Sequence, residues 1–109
     1  MKSPLSDAMI EEISGLFGAL GDASRLKILR SLQNAKGPLS QGALSESSGL
    51  SQANASKHLA SLVRAGLVIR EPEGNTVYFS PVLPLVTDLC NIVCGHVSSR
   101  AKASYHALK

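Results

Sequence analysis

The sequence predicts one mainly α-helical domain carrying a single small β-hairpin, in the order helix-helix-helix-helix-strand-strand-helix. Three observations carry this. Apolar residues recur at helical spacing through most of the chain. Two helical segments meet at Gly49-Leu50-Ser51, which leaves room only for a tight turn. After Gly66 the period changes from helical to alternating, and it turns helical again beyond Pro81 and Pro84. At 109 residues the whole chain, 1–109, is one domain. An apolar share of 44% supports a core, but so small a chain buries a modest fraction of its surface, and self-association would add stability.

Ser6 and Asp7 suit a helix N-terminus, and Met9, Ile10, Ile13, Leu16, Phe17 and Leu20 continue with helical periodicity up to Gly21, giving a helix over 5–20. Asp22 or Ser24 caps a second helix. Its apolar positions are Leu26, Ile28, Leu29 and Leu32, with Arg25, Lys27 and Arg30 expected outward. Lys36-Gly37-Pro38 is a turn. Ser40 caps a short third helix, anchored by Leu44 and closed by Gly49. Ser51 then caps a fourth, which ends at Gly66. Residues 40–66 thus form a helix-turn-helix. Leu67–Arg70 and Thr76–Phe79 read as strands joined through Glu71-Pro72-Glu73-Gly74-Asn75, so 67–80 is a hairpin with Gly-Asn at its tip. A hairpin directly after such a pair is a wing. The last helix, 82–108, carries a stripe of Val82, Leu85, Val86, Leu89, Ile92, Val93, Val97 and Ala101. That stripe exceeds what one small core needs, and with the first helix it predicts a helical dimer interface.

Charge is distributed unevenly. The first 22 residues sum to −3, residues 23–70 to +6 and the remainder to zero. The positive field therefore surrounds the central helices, as a phosphate-facing surface requires. The fourth helix sets one apolar stripe (Ala55, Leu59, Leu62, Val63) against faces without an acid. Amides there can pair with adenine, cations with guanine or phosphate, and hydroxyls with either. Double-stranded DNA is the expected partner. The expected contacts are Ser51, Gln52, Asn54, Ser56, Lys57, His58 and Arg64 on the helix, with Arg70, Asn75 and Thr76 on the wing touching backbone or minor groove. Glu71 and Glu73 oppose phosphates and make the wing a weak contact. Trp is absent and aromatics make up 4%, so base-stacking platforms for single strands are poorly supplied. No phosphate loop, nucleophile elbow or paired-carboxylate cleft is present, and no enzyme is expected. A winged-helix module that pairs only with proteins is the competing class. It differs in having no steep salt dependence of operator affinity.

Leu16-Phe17-Gly18-Ala19-Leu20-Gly21-Asp22-Ala23-Ser24-Arg25-Leu26-Lys27-Ile28-Leu29 resembles the first-to-second-helix signature of the ArsR/SmtB family of bacterial winged-helix repressors. Leu50-Ser51-Gln52, Ser56-Lys57-His58-Leu59 and Arg64-Ala65-Gly66-Leu67-Val68 are similar to its recognition helix, and Val77-Tyr78-Phe79 to its wing. The likeness runs in unbroken order from about Leu16 to Pro81. It implies a homodimeric repressor on an imperfect palindromic operator, released by a metal ion, a metalloid or a thiol oxidant. It places Gln52, Ser56 and Lys57 toward the groove. His58 is also at a family-like position, though beside Leu59 a role bracing the helix is equally open. The family's usual ligand sets are missing. Leu39-Ser40-Gln41-Gly42-Ala43 has no Cys-x-Cys pair, and Asp88-Leu89-Cys90 stands where others have Asp-x-His, with Ala101 and Ser104 at the downstream positions.

Cys90 and Cys94 are four residues apart, on one helical face. Three readings stay open for them. They are small buried hydrophobes; or they bind a soft metal or arsenite as inducer, with Asp88, His96 or His106 assisting; or they sense oxidants, through an inter-subunit bridge rather than an internal disulfide. No cofactor is required for DNA binding. Lys2 is followed by no apolar signal segment and no run reaches transmembrane length, so the expected location is the cytoplasm.

Overall fold

Every helix start in the first two-thirds of the molecule rests on a short polar side chain that closes its first turn. The structure, a computed structural model, describes residues 5–107, with side chains through residue 102. The elements are α1 (Asp7–Leu20), α2 (Ala23–Asn34), β1 (Leu39–Ser40), α3 (Gln41–Ser48), α4 (Gln52–Arg64), β2 (Val68–Glu73), β3 (Thr76–Pro81) and α5 (Leu85–Ala107). Ser6, Asp22, Ser40 and Ser51 each accept a hydrogen bond from the amide three residues on, at 3.1–3.2 Å. Asp22 rather than Ser24 is the cap of α2.

The end of α4 is equally specific. Gly66 has φ 78°, its amide donates to the Val63 carbonyl, and the Leu67 amide donates to that of Leu62. This pairing satisfies carbonyls that the helix end leaves open, and it turns the chain directly into the sheet.

The core lies where α2, α3 and α4 meet the base of the sheet. Ile28, Leu29, Leu44, Leu59, Leu62, Leu67 and Val86 are its largest fully buried side chains, with Leu32, Ala55, Val68 and Phe79 also buried. From α1 only Ala19 is buried, and α5 reaches the core through Val86, with Leu89 and Cys90 packed at its edge.

Five expectations are corrected. Leu26 is 46% exposed and takes no part in the core. Arg25 does not point outward: it is half-buried, and its Nη1 donates to the Gly18 and Ala19 carbonyls at 3.3 and 3.5 Å, capping the end of α1. The wing strands are longer than predicted and close on a two-residue turn, with Glu73 opposite Thr76. Gly74 (φ 63°) is the turn's one positive-φ residue, the sign pattern of a type II′ hairpin. Pro72 is tolerated in β2 because that strand is an edge. Finally, the sheet has three strands in the order β1-β3-β2, β1 pairing Leu39 with Phe79 and Ser40 with Tyr78. The last helix begins at Leu85 rather than residue 82, and its expected end at Leu108 lies outside the described residues.

Much apolar surface stays in water. Met9, Ile10, Ile13 and Phe17 on α1, and Leu85, Ile92, Val93 and Val97 on α5, are all exposed, Ile92 by 71%. The radius of gyration is 16.4 Å, against about 13 Å for a compact domain of this length.

The Asp22 carboxyl is held below the ordinary carboxylate range. The Arg25 backbone amide is the largest cause, and it works with the nearby His58 and Arg25 charges against partial desolvation. A depressed folded-state pKa stabilises the fold above the unfolded pKa of about 3.9, and that stabilisation is lost as pH falls through the folded value. Asp22→Asn keeps the cap and removes the charge. Its urea midpoint at pH 7 is expected below that of the parent, with the difference closing as pH falls below the unfolded value of about 3.9 and through the lower folded one. A difference that persists undiminished as the carboxyl is protonated contradicts the account.

Candidate nucleic-acid interface

The joint between α3 and α4 fixes how α4 is presented. Gly49 adopts φ 77°, the left-handed conformation that ends α3 without a Cβ penalty. Ser48, itself buried, donates through Oγ to the Leu44 carbonyl and accepts from the Leu50 amide at 3.4 Å. Ser45 Oγ donates to the Leu50 carbonyl. The serine-rich run is thus turn chemistry: its hydroxyls satisfy backbone groups that neither helix can pair.

On α4, Ala55, Leu59 and Leu62 face the core. Ser51, Gln52, Asn54, Ser56 and Lys57 are exposed along its N-terminal half. The helix has no acidic residue, and its first turn carries the positive end of the helix dipole. Ala53 and Ala60 lie between the polar positions and keep this face low enough for close approach.

Two of the expected contacts sit elsewhere on the surface. His58 is half-buried on the α2 side, near the Asp22 carboxylate, with Nδ1 enclosed and unpartnered among the described residues. Arg64 lies about 18 Å along the axis from Gln52. There it bonds Ser61 Oγ through Nη2 at 3.3 Å and borders a groove of about 530 Å³ shared with Glu11 and Glu12 of α1.

Arg70, Asn75 and Thr76 are exposed on the wing. Arg70 is the one that approaches α4. It borders a cleft of about 390 Å³ together with Gln41 and Ser56, over a floor that includes Leu59, Val63 and Phe79. Asn75 and Thr76 are at the hairpin tip, and Glu71 and Glu73 are exposed on the same strand as Arg70. The residue that sequence reasoning missed is Gln41. Its only sequence signal is its place immediately after the N-cap Ser40, at the start of the helix that abuts α4.

On α5, Cys90 is half-buried against the core and Cys94 is exposed. Burial, and secondarily the neighbouring Cys94, push the Cys90 thiol up, so it stays protonated in the neutral range. Asp88 and His96 are exposed, and His106 lies outside the residues whose side chains are described. Among the described residues no three His, Cys, Asp or Glu side chains converge as metal ligands. Arsenite bound through three sulfurs or tetrahedral zinc needs three or four donors, and the described residues of one chain bring no such set together. No described helix is long and apolar enough to cross a membrane.

Residues 20–71 match a family model described as a helix-turn-helix domain. The chain is 37% identical over 76 residues to a Halobacterium salinarum protein described as a candidate arsenical resistance operon repressor, ArsR2, covering 70% of this chain and 63% of that one. It thus spans less than two-thirds of that relative. Among solved structures it is similar to the homodimeric winged helix-turn-helix DNA-binding domain Mb0332 of Mycobacterium bovis, a candidate ArsR-family regulator. The TM-score is 0.79 at 26% identity, over 94% of this chain and 95% of the other. NolR of Sinorhizobium fredii superposes with a TM-score of 0.70 at 32% identity, over 84% and 93% of the two chains.

Proposed function

This chain belongs to the ArsR family of winged helix-turn-helix transcriptional regulators, and from that premise we propose that it is a homodimeric repressor. It reads a palindromic operator through α4 and loses it when an inducer reaches Cys90 and Cys94. The family is one of transcription regulators and not of enzymes. The observation that carries the reading is the exposed N-terminal half of α4. It is free of acids, closely flanked by a wing with Arg70 on its near side, and seated on a buried stripe that leaves those residues outward. Gln52, Asn54, Ser56 and Lys57 enter the major groove, and Arg70 and Ser51 hold the flanking phosphates. His58 braces α4 against the α2 cap, and Arg64, with Asn75 and Thr76, makes outer contacts.

The second copy covers the apolar faces of α1 and α5. The large side chains there are 36–71% exposed, so each stands to gain a part of the roughly 1.5–3 kcal/mol that full burial is worth. A two-fold dimer presents two α4 helices, which is why the operator is palindromic. The α5 thiols lie beside that face. Four of them meet across a dimer, whereas one chain brings two, so the sensing site is a property of the assembly. To release DNA, the modified dimer must favour a spacing of the two α4 helices that the operator does not accept.

Three measurements test this. Lys57→Ala is expected to weaken operator binding roughly tenfold and to lower the slope of log affinity against log salt by about 1, with the dimer intact; unchanged affinity and slope count against α4 as the reading helix. Val93→Glu places a carboxylate in the proposed dimer face, and light scattering is expected to find a monomer with little operator affinity at nanomolar protein. A dimer of normal stability moves the interface elsewhere. The double variant Cys90→Ser, Cys94→Ser is expected to bind operator as the parent does and to remain bound when arsenite, zinc or peroxide is added. Release of that variant puts the sensor at other residues.

A further inference from the structure

The two helices of the helix-turn-helix each begin on a glutamine, and the fold brings the two side chains together. Gln41 Nε2 donates to the main-chain carbonyl of Gln52 at 3.2 Å and to its side-chain Oε1 at 3.4 Å. The Gln52 amide lies over Gly42, where an added Cβ would stand 3.6 Å from Gln52 Nε2. Gln52 is nonetheless exposed, at the N-terminal end of α4, while Gln41 is half-buried. Resting on the reading that α4 enters a major groove, we propose that Gln41 is a positioning residue. It holds the Gln52 amide in one orientation, so that each half-site is read for an A·T pair in preference to G·C.

A carboxamide presents an acceptor and a donor side by side, and a half-turn about its last bond exchanges them. In water both orders are equally satisfied, so a free glutamine adapts to either base. Gln52 is not free in this way. Its Oε1 faces the amino group of Gln41, and a half-turn would set two amino groups against each other, losing one hydrogen bond and opposing two donors. Gln41 cannot relieve this by turning its own amide, because its amino group is also held by the Gln52 main-chain oxygen, which has no alternative orientation.

The locked Gln52 keeps one Oε1 lone pair and its Nε2 hydrogens for DNA. Adenine offers an amino donor at N6 beside an acceptor at N7, the complement of that order. Guanine offers acceptors at both O6 and N7, so one of them meets Oε1, and the pair loses a hydrogen bond and gains a repulsion. An unlocked Gln52 could instead present Nε2 to guanine. Discrimination therefore resides in the contact between the two glutamines, and Gln41 contributes to it without touching a base.

The test is selection of binding sites from randomised duplexes by the full-length dimer, followed by titration of the selected site and of a copy with the pair in question changed to G·C. For the parent, one A·T pair per half-site is expected to be preferred about tenfold or more. Gln52→Ala is expected to abolish that preference and leave the other positions. Gln41→Met, with unchanged circular dichroism and dimer size, is expected to bind the selected site within a few-fold of the parent while the preference falls to about threefold or less. Equal weakening on both duplexes with the preference intact would make Gln41 merely structural and overturn the proposal. So would a Gln52-dependent pair that proves to be G·C, or a Gln52→Ala variant with an unaltered site. If the parent enriches no sequence at all, the DNA reading fails and this inference with it; enrichment with any of the contrary outcomes removes this inference alone.

Discussion

The burial of Leu44, Leu59 and Leu62 between α2 and the base of the sheet is the constraint on which the other features depend. These three side chains lie at the inner sides of α3 and α4, and burying them sets the angle between the two helices. Once that angle is set, the turn at Gly49-Leu50-Ser51 has one conformation, with its carbonyls and amides closed by Ser45 and Ser48. The outer surface of α4 is then whatever the stripe leaves over, which here is an acid-free row of amides, hydroxyls and one lysine. The chemistry of this surface is thus what packing leaves over: polar groups are exposed because the apolar ones have a better place to go.

The same economy explains the shape. A core of about a dozen side chains is filled by α2, α3, α4 and the inner positions of the sheet, and little of it remains for α1 and α5. Those helices keep helical geometry through capping and backbone bonding, yet their broad apolar faces have no partner within one chain. A radius of gyration of 16.4 Å reflects that division between a packed body and two outlying helices. In the proposed dimer, thiols beside such a face would couple chemistry on α5 to the relative position of the two α4 helices, because any change in how the faces meet would be carried to α4 through a rigid core.

Much of this was legible along the chain. Serine and aspartate before apolar periodicity marked the caps, since a short side chain can reach its own helix's free amides, and glycine at Gly49, Gly66 and Gly74 marked the positions with positive φ. The acid-free, polar outer surface of α4 was legible for the same local reason. Arg25 and Leu26 were misassigned because a helical wheel treats charge as outward and leucine as inward. In the fold, the end of α1 offers Arg25 the Gly18 and Ala19 carbonyls, while the neighbouring position of Leu26 is exposed. Gln41 was overlooked because its significance depends on Gln52, eleven residues later, being beside it.

By itself, the sequence determined the elements, their caps and turns, and the chemical character of α4, because each of these is set by groups within about one helical turn of one another. Tertiary structure alone decided that two residues before α3 join the sheet as β1 and that the wing strands extend to a two-residue turn. It also decided that His58 is half-buried with Nδ1 enclosed and that Gln41 meets Gln52. Those outcomes depend on pairings between distant segments, whose free energies appear only once the core has brought the segments into contact.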